Sequence, residues 1–210
     1  MQIVPNQALT DAVLKELRTK YIDKSVRKDI HLTHCIYCLT RSYYDLTDPD
    51  PPTREELMLF SIGFGLEKVL LDNESIHGQI SCDGILLTPD FVTAGGNVAE
   101  LKTTRMSSAK PDLPDSWIEQ MLGYCKALGI TQYRLAILYL MGNWKPPFPD
   151  IKAFTIDFTQ EEIDTNWNKV LHRRDILVKA IQAKKPPEAK LYCKDWECKS
   201  CRYRLRCGLV

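Results

Sequence analysis

The sequence predicts an α/β protein: one domain in which a small sheet is flanked by helices, with a short cysteine-rich segment after it. Three observations carry this. Helical periods and short β-rich runs follow one another along the chain. The 210 residues suit one core and exclude two large domains. Four of the eight cysteines fall in the last 18 residues. With 44% hydrophobic and 26% charged residues, disordered and fibrous classes are excluded as well.

The elements follow in order. Leu9, Val13, Leu14, Leu17 and Tyr21 recur at helical spacing and predict a helix over residues 8–21. After the polar stretch DKSVRKD, the run HLTHCIYCLTRSYYDL predicts a second helix, with Cys35 and Cys38 three apart and on one face. DPDPP at 48–52 is a break, and TREE after it reads as a capping box, Thr53 with Glu56, opening a helix to about Leu71. Its apolar stripe of Phe60, Gly63, Phe64, Leu70 and Leu71 takes in Glu67, an unusual place for a carboxylate.

IHGQISCDGILL then predicts a strand, TPDFVTAGGN a turn, and VAELKTTR a second strand antiparallel to the first. Alternation puts Val98, Glu100 and Lys102 on one face of that second strand. A helix begins at Asp115 or Ser116, with Gln120 and Tyr124 one turn apart on the face of Trp117 and Leu128. YRLAILYLM predicts a strand buried on both sides, and IKAFTIDF an alternating one. TQEE, Thr159 with Glu162, caps a long helix towards Gln182 that KKPPEAK ends. The chain thus divides into a helical segment (1–52), a core (53–185) and a cysteine-rich segment (186–210).

No apolar run reaches the roughly 18 residues that cross a bilayer, and the first residues carry acids where a signal peptide is apolar, so a cytoplasmic protein with no membrane partner is expected. The net charge of +1 conceals an asymmetry. Residues 168–210 hold 12 Lys/Arg against 4 Asp/Glu, a net of +8, and residues 1–167 a net of −7.

Asp83, Glu100 and Lys102 are the groups that phosphodiester cleavage requires: carboxylates for one or two divalent cations, and a cation to position the attacking water and offset phosphorane charge. A Glu-x-Lys pair on a strand is by itself commonly a solvated face. Its order after Glu67 and Asp83 and before Gln120 and Tyr124 is what points to chemistry.

At GFGLEKVL, SCDGILL, VAELKTTR and QMLGYCKALG the chain resembles the RecB-like nucleases of the PD-(D/E)xK superfamily. The resemblance implies a restriction-endonuclease-like core in which Asp83 and Glu100 bind Mg²⁺ or Mn²⁺ and the Leu101 carbonyl adds a ligand. By the same resemblance Lys102 positions the water, and Gln120 and Tyr124 orient the scissile strand or support the lysine. Glu67 stands where the family more often has His. His77 shares strand parity with Asp83.

Cys198, Cys201 and Cys207 have the spacing C-x2-C-x5-C, with Cys193 five residues upstream. Four thiolates suit zinc or an iron–sulfur cluster, and a set confined to the C-terminal segment favours structural zinc. CLTRSYY, however, resembles the Cys-x-x-Arg-x-x-Tyr stretch of RecB-like nucleases that carry a cluster. That likeness implies Cys38, Cys198, Cys201 and Cys207 around an iron–sulfur cluster of the [4Fe–4S] type, with Cys35 and Cys193 as spares and Cys82 and Cys125 as core packing. Lys199, Arg202, Arg204 and Arg206 between them are expected to hold phosphates. The fullest resemblance is to the CRISPR-associated RecB-like exonucleases, the fourth Cas family. It implies 5′ to 3′ cleavage of single-stranded DNA, prespacer processing with the CRISPR integrase complex, and an oligomer as one expected state. A stand-alone viral or repair nuclease, or a DNA-binding adaptor of the same fold, has the same sequence features.

Overall fold

The computed structural model describes residues 7–22, 29–70, 78–92, 98–108, 113–140, 150–188 and 192–208. Helix α1 (Gln7–Ile22) packs on α4 (Arg54–Leu70). Between them, the helix expected over 31–46 is broken into α2 (Leu32–Ile36) and α3 (Leu39–Thr47). The break has a physical cause 136 residues away: the Arg173 guanidinium takes the carbonyl oxygens of Cys35 and Tyr37, the latter at 2.7 Å. The Cys38 N–H donates instead to Glu197 Oε1 at 2.9 Å. With its backbone groups satisfied elsewhere, the chain turns at Cys38. The capping box that opens α4 is reciprocal: Thr53 N–H donates to Glu56 Oε2 (2.8 Å), and Glu56 N–H to Thr53 Oγ1 (3.2 Å).

The strand expected over 76–87 is a hairpin. β1 (Ile80–Cys82) and β2 (Ile85–Leu87) pair antiparallel around Asp83 and Gly84, whose φ angles are 48° and 74°. Two successive left-handed residues make the turn that fits the right-handed twist of a hairpin, and Asp-Gly is among its preferred dipeptides. This pair forms its own two-stranded sheet and is not the neighbour of the Glu-x-Lys strand, as had been expected.

The main sheet has the order β3-β4-β5-β6. β3 (Phe91–Val92) pairs antiparallel with only the first two residues of β4 (Val98–Thr104). β4 then runs parallel to β5 (Gln132–Tyr139), a connection made through α5 (Asp115–Leu128), and β6 (Asp150–Asp157) pairs antiparallel with β5. β5 was expected to be buried on both faces, yet it alternates. Tyr133, Leu135, Ile137 and Tyr139 face the core, and the residues between them are partly exposed.

α6 (Gln160–Gln182) starts at the Thr159/Glu162 capping box and packs on α5 and α2 over the sheet. Ile163, Trp167 and Val170 of α6 join Leu32, Met121, Leu135 and Ile137 in one core. Thr159→Ala is expected to cost about 1 kcal/mol of stability, read as a lower denaturation midpoint, because it leaves the Glu162 N–H without its side-chain acceptor. Beyond α6 the chain returns to α3 through α7 (Asp195–Lys199) and the segment to Cys207. Among the described residues no helix is long and apolar enough to cross a membrane.

Candidate functional site

Because β3 begins only at Phe91, which pairs with Ala99, no strand among the described residues pairs with the outer edge of β4 from Glu100 onwards. A cleft of about 340 Å³ lies there, with α5 on one side and α4 on the other. Period-two alternation turns Glu100 and Lys102 to α5 and Thr103 to α4, where a Cβ added to Gly63 would stand 4.0 Å from Thr103 Oγ1. On the α5 side the polar groups form a line. Lys102 Nζ donates to Glu100 Oε1 (2.5 Å) and Gln120 Oε1 (2.8 Å). Gln120 Nε2 donates to Tyr124 Oη (2.8 Å), which donates to the Thr88 carbonyl (3.0 Å).

Glu100 is 1% exposed. Burial alone would depress the Lys102 ammonium, but the charge and hydrogen bond of Glu100, with smaller contributions from Tyr37 and Asp90, hold it above the usual lysine range. Desolvation raises the Tyr124 phenol, and the Glu100 charge raises it further, so this hydroxyl is a neutral hydrogen-bonding group.

The second carboxylate in the cleft is Asp90, and Asp83 is outside it. Asp90 Oδ2 accepts the Leu101 N–H at 2.8 Å, on the edge that β3 leaves uncovered. Burial raises its carboxyl, while that N–H, the Lys102 charge and a hydrogen bond with Glu100 oppose the rise. Asp83 is an exposed turn residue: its Oδ2 accepts Trp167 Nε1–H at 2.8 Å, and its carbonyl accepts from Arg174. The structure brings Asp90 beside Glu100 in the cleft and places Asp83 at the hairpin tip outside it. The sequence holds Asp90 in the run TPDFV ahead of Glu-x-Lys, where it reads as a turn residue. Glu67 falls within α4, with its side chain outside the described residues, and His77 lies outside them altogether.

Beneath the line, Tyr133 is 0% exposed and stacks on Tyr124, ring centroids 5.6 Å apart. Its hydroxyl has no hydrogen-bond partner among the described residues. A buried hydroxyl without a partner opposes folding, so Tyr133→Phe is expected to stabilise the protein by about 1 kcal/mol in thermal or urea denaturation.

A second cavity lies between α3 and the C-terminal segment, and Cys38, Cys193, Cys198, Cys201 and Cys207 line it with Arg41, Glu197 and Arg204. Cys193 Sγ is 2.9 Å from Cys198 Sγ. Burial is the largest cause raising Cys193, Cys201 and Cys207, the last to about 11, and neighbouring cysteines add to it. Cys35, on the other side of the break, packs with the sheet-side core, where burial lifts its thiol to about 12. The two early cysteines thus face different ways, and Cys193 is a fifth thiol at the cavity. Among the described residues no three His, Cys, Asp or Glu side chains stand close enough to hold a single metal ion, and the cysteines surround a space instead.

The arginines of this segment are engaged with protein. Arg202 pairs with Asp45 and Glu56, and Arg206 with Asp48 and Asp50 while stacking on Tyr44 at 4.0 Å. Tyr203 is buried and donates to Asp45 Oδ1 at 2.6 Å, and Trp196 is exposed, edge-on to Tyr37. Arg202 and Arg206 were expected to hold phosphates; here the charge of Arg202 ties the segment to α3 and α4, and that of Arg206 ties it to the acidic turn between them.

No family model and no curated protein matches the chain. Solved structures do. The chain is similar to SSO0001 over 96% of its own length and 97% of that chain, with a TM-score of 0.55 at 19% identity. It is similar to the alkaline exonuclease LHK-Exo from Laribacter hongkongensis over 81% of this chain and 95% of that one, with a TM-score of 0.50 at 12% identity. The complex of LHK-Exo with dAMP matches over 75% and 91% of the two chains, with a TM-score of 0.51 at 12% identity. The chain therefore has the mixed α/β fold of SSO0001 and of an alkaline exonuclease.

Proposed function

We propose that the chain is a Mg²⁺- or Mn²⁺-dependent deoxyribonuclease, an exonuclease on single-stranded DNA. The observation that carries this is the continuous polar line Asp90, Glu100, Lys102, Gln120, Tyr124 in one cleft. The fold shared with an alkaline exonuclease supports it. The donor set suits a hard divalent cation, because two buried carboxyls side by side repel when both are charged, and oxygen ligands are what such ions take. Asp90 and Glu100 hold the ion. The Leu101 carbonyl, on the same strand edge as the N–H that Asp90 engages, is the third candidate ligand. The bound cation supplies Lewis-acid charge to the phosphoryl oxygens and acidifies water.

Lys102 does the rest from the protein side. Held at both Glu100 and Gln120 and kept charged, its ammonium positions the attacking water and offsets charge on the phosphate. Gln120 and Tyr124 are positioning residues for it. Lys102→Ala is expected to lower cleavage of a single-stranded oligonucleotide in Mn²⁺ by about 10²–10³-fold. Full activity in both Lys102→Ala and Glu100→Gln would refute the assignment.

The cysteine cavity is read as the seat of an iron–sulfur cluster on Cys38, Cys198, Cys201 and Cys207, with Cys193 adjacent. Crowded thiols that surround a space, Cys38 buried and the others half-buried, suit a multi-atom cationic cluster, which relieves their mutual repulsion once they are deprotonated. The family resemblance extends the reading to 5′ to 3′ trimming of prespacers beside a CRISPR integrase. An integrase gene next to this one, and trimming of an end-labelled strand from its 5′ end, are the results that check that setting.

A further inference from the structure

We infer that Phe60 and Phe64 are a base-stacking wall that makes the cleft select an unpaired strand, an inference that rests on the nuclease reading of that cleft. α4 turns Leu59, Phe60, Gly63 and Phe64 into the space that the catalytic line bounds on its other side. The two rings lie one helical turn apart, centroids 6.1 Å apart and tilted by 45°. Phe64 is 47% exposed and lines the cleft together with Phe60, so it is within reach of a strand entering the polar site.

A phenyl ring in that position offers a π-face and no hydrogen bond. Nucleobases present matching faces whatever their identity, but only where the strand is unpaired, because in a duplex those faces are already stacked. A space of about 340 Å³ is at the small end of ligand sites and takes a nucleotide unit without its paired partner. A neighbouring cleft shares Leu59 and Thr103 with the first and ends at Arg105, whose side chain is 59% exposed and 3.5 Å from Glu55. The strand's path therefore runs from the carboxylates, along the phenyl rings, to a cation able to meet the next phosphate.

The test uses single-stranded oligonucleotides carrying 2-aminopurine near one end, titrated with the protein in Ca²⁺. The wild-type protein is expected to quench the fluorescence on binding. Phe60→Leu and Phe64→Leu keep apolar bulk without the π-face, and are expected to bind roughly tenfold more weakly with the quenching lost. Phe64→Trp is expected to restore both. Wild-type affinity and quenching in both leucine variants would overturn the inference. So would sedimentation data in which those variants dissolve a dimer while binding DNA as the wild type does, since α4 would then be a surface between copies of the chain. If the wild type shows the quenching pattern but cleaves no DNA in Mn²⁺, the wall stands and the nuclease reading fails.

Discussion

Asp90→Asn is expected to lower Mn²⁺-dependent cleavage by about 10²–10³-fold, with Asp83→Asn staying close to wild type. The two aspartates lie seven positions apart in sequence and differ in every physical respect that matters to a cation. Asp90 is inside the cleft, desolvated, and oriented by the Leu101 N–H towards Glu100. Asp83 is exposed at a hairpin tip, with its carboxylate held by the Trp167 indole. Neutralising Asp90 removes half of the carboxylate charge that holds the ion, so apparent Mn²⁺ affinity is expected to fall along with the rate. Asp83→Asn keeps an oxygen acceptor for Trp167, and asparagine tolerates the left-handed backbone, so folding is largely preserved. The opposite pair of results would move the metal site to the hairpin.

Cys38→Ser and Cys198→Ser are each expected to abolish the visible absorption of anaerobically purified protein and to lower its thermal stability. A cluster shared by Cys38 and Cys198 closes a loop of about 160 residues. If it acts on the unfolded chain as a cross-link does, its loss costs about 2–5 kcal/mol. Cys35→Ser is expected to keep the chromophore, because that thiol packs in the sheet-side core. Cys193→Ser is expected to keep it too, because Cys193 is the thiol at the cavity outside the four proposed ligands. A colourless wild-type protein containing stoichiometric zinc would replace the cluster with a zinc site.

What could be read in the sequence was what depends on short-range geometry. Glu100 and Lys102 share a face because strands alternate, and Gln120 and Tyr124 share one because a helix returns every turn; both pairs meet in the cleft. The Thr53 and Thr159 capping boxes were equally legible, being local exchanges of hydrogen bonds. What escaped depends on partners far along the chain. Nothing near Cys35 and Cys38 says that Arg173 will take the carbonyls between them and divide one helix into two. The start of β3 at Phe91, which leaves the edge of β4 open beyond Ala99, is a property of the sheet and not of TPDFV read alone. The hairpin was legible too, because Asp83-Gly84 between two strand-forming triplets is a turn signal in its own right.

The ties between α3 and the segment from Cys193 to Cys207 also set the order in which the molecule is completed during synthesis. Cys38 N–H waits for Glu197, Asp45 for Tyr203, and Asp48 and Asp50 for Arg206. On the ribosome residues 38–50 leave the exit tunnel as an acidic, cysteine-bearing surface whose counterpart is not yet made. The core around β4 and α5 can form and α2 can pack on α5 and α6, but α3 and the turn after it cannot complete their contacts until residue 207 has emerged. One face of α3 therefore stays unfinished while about 160 further residues are made, and any delivery of metal to Cys38 together with its distant cysteines follows the emergence of residue 207.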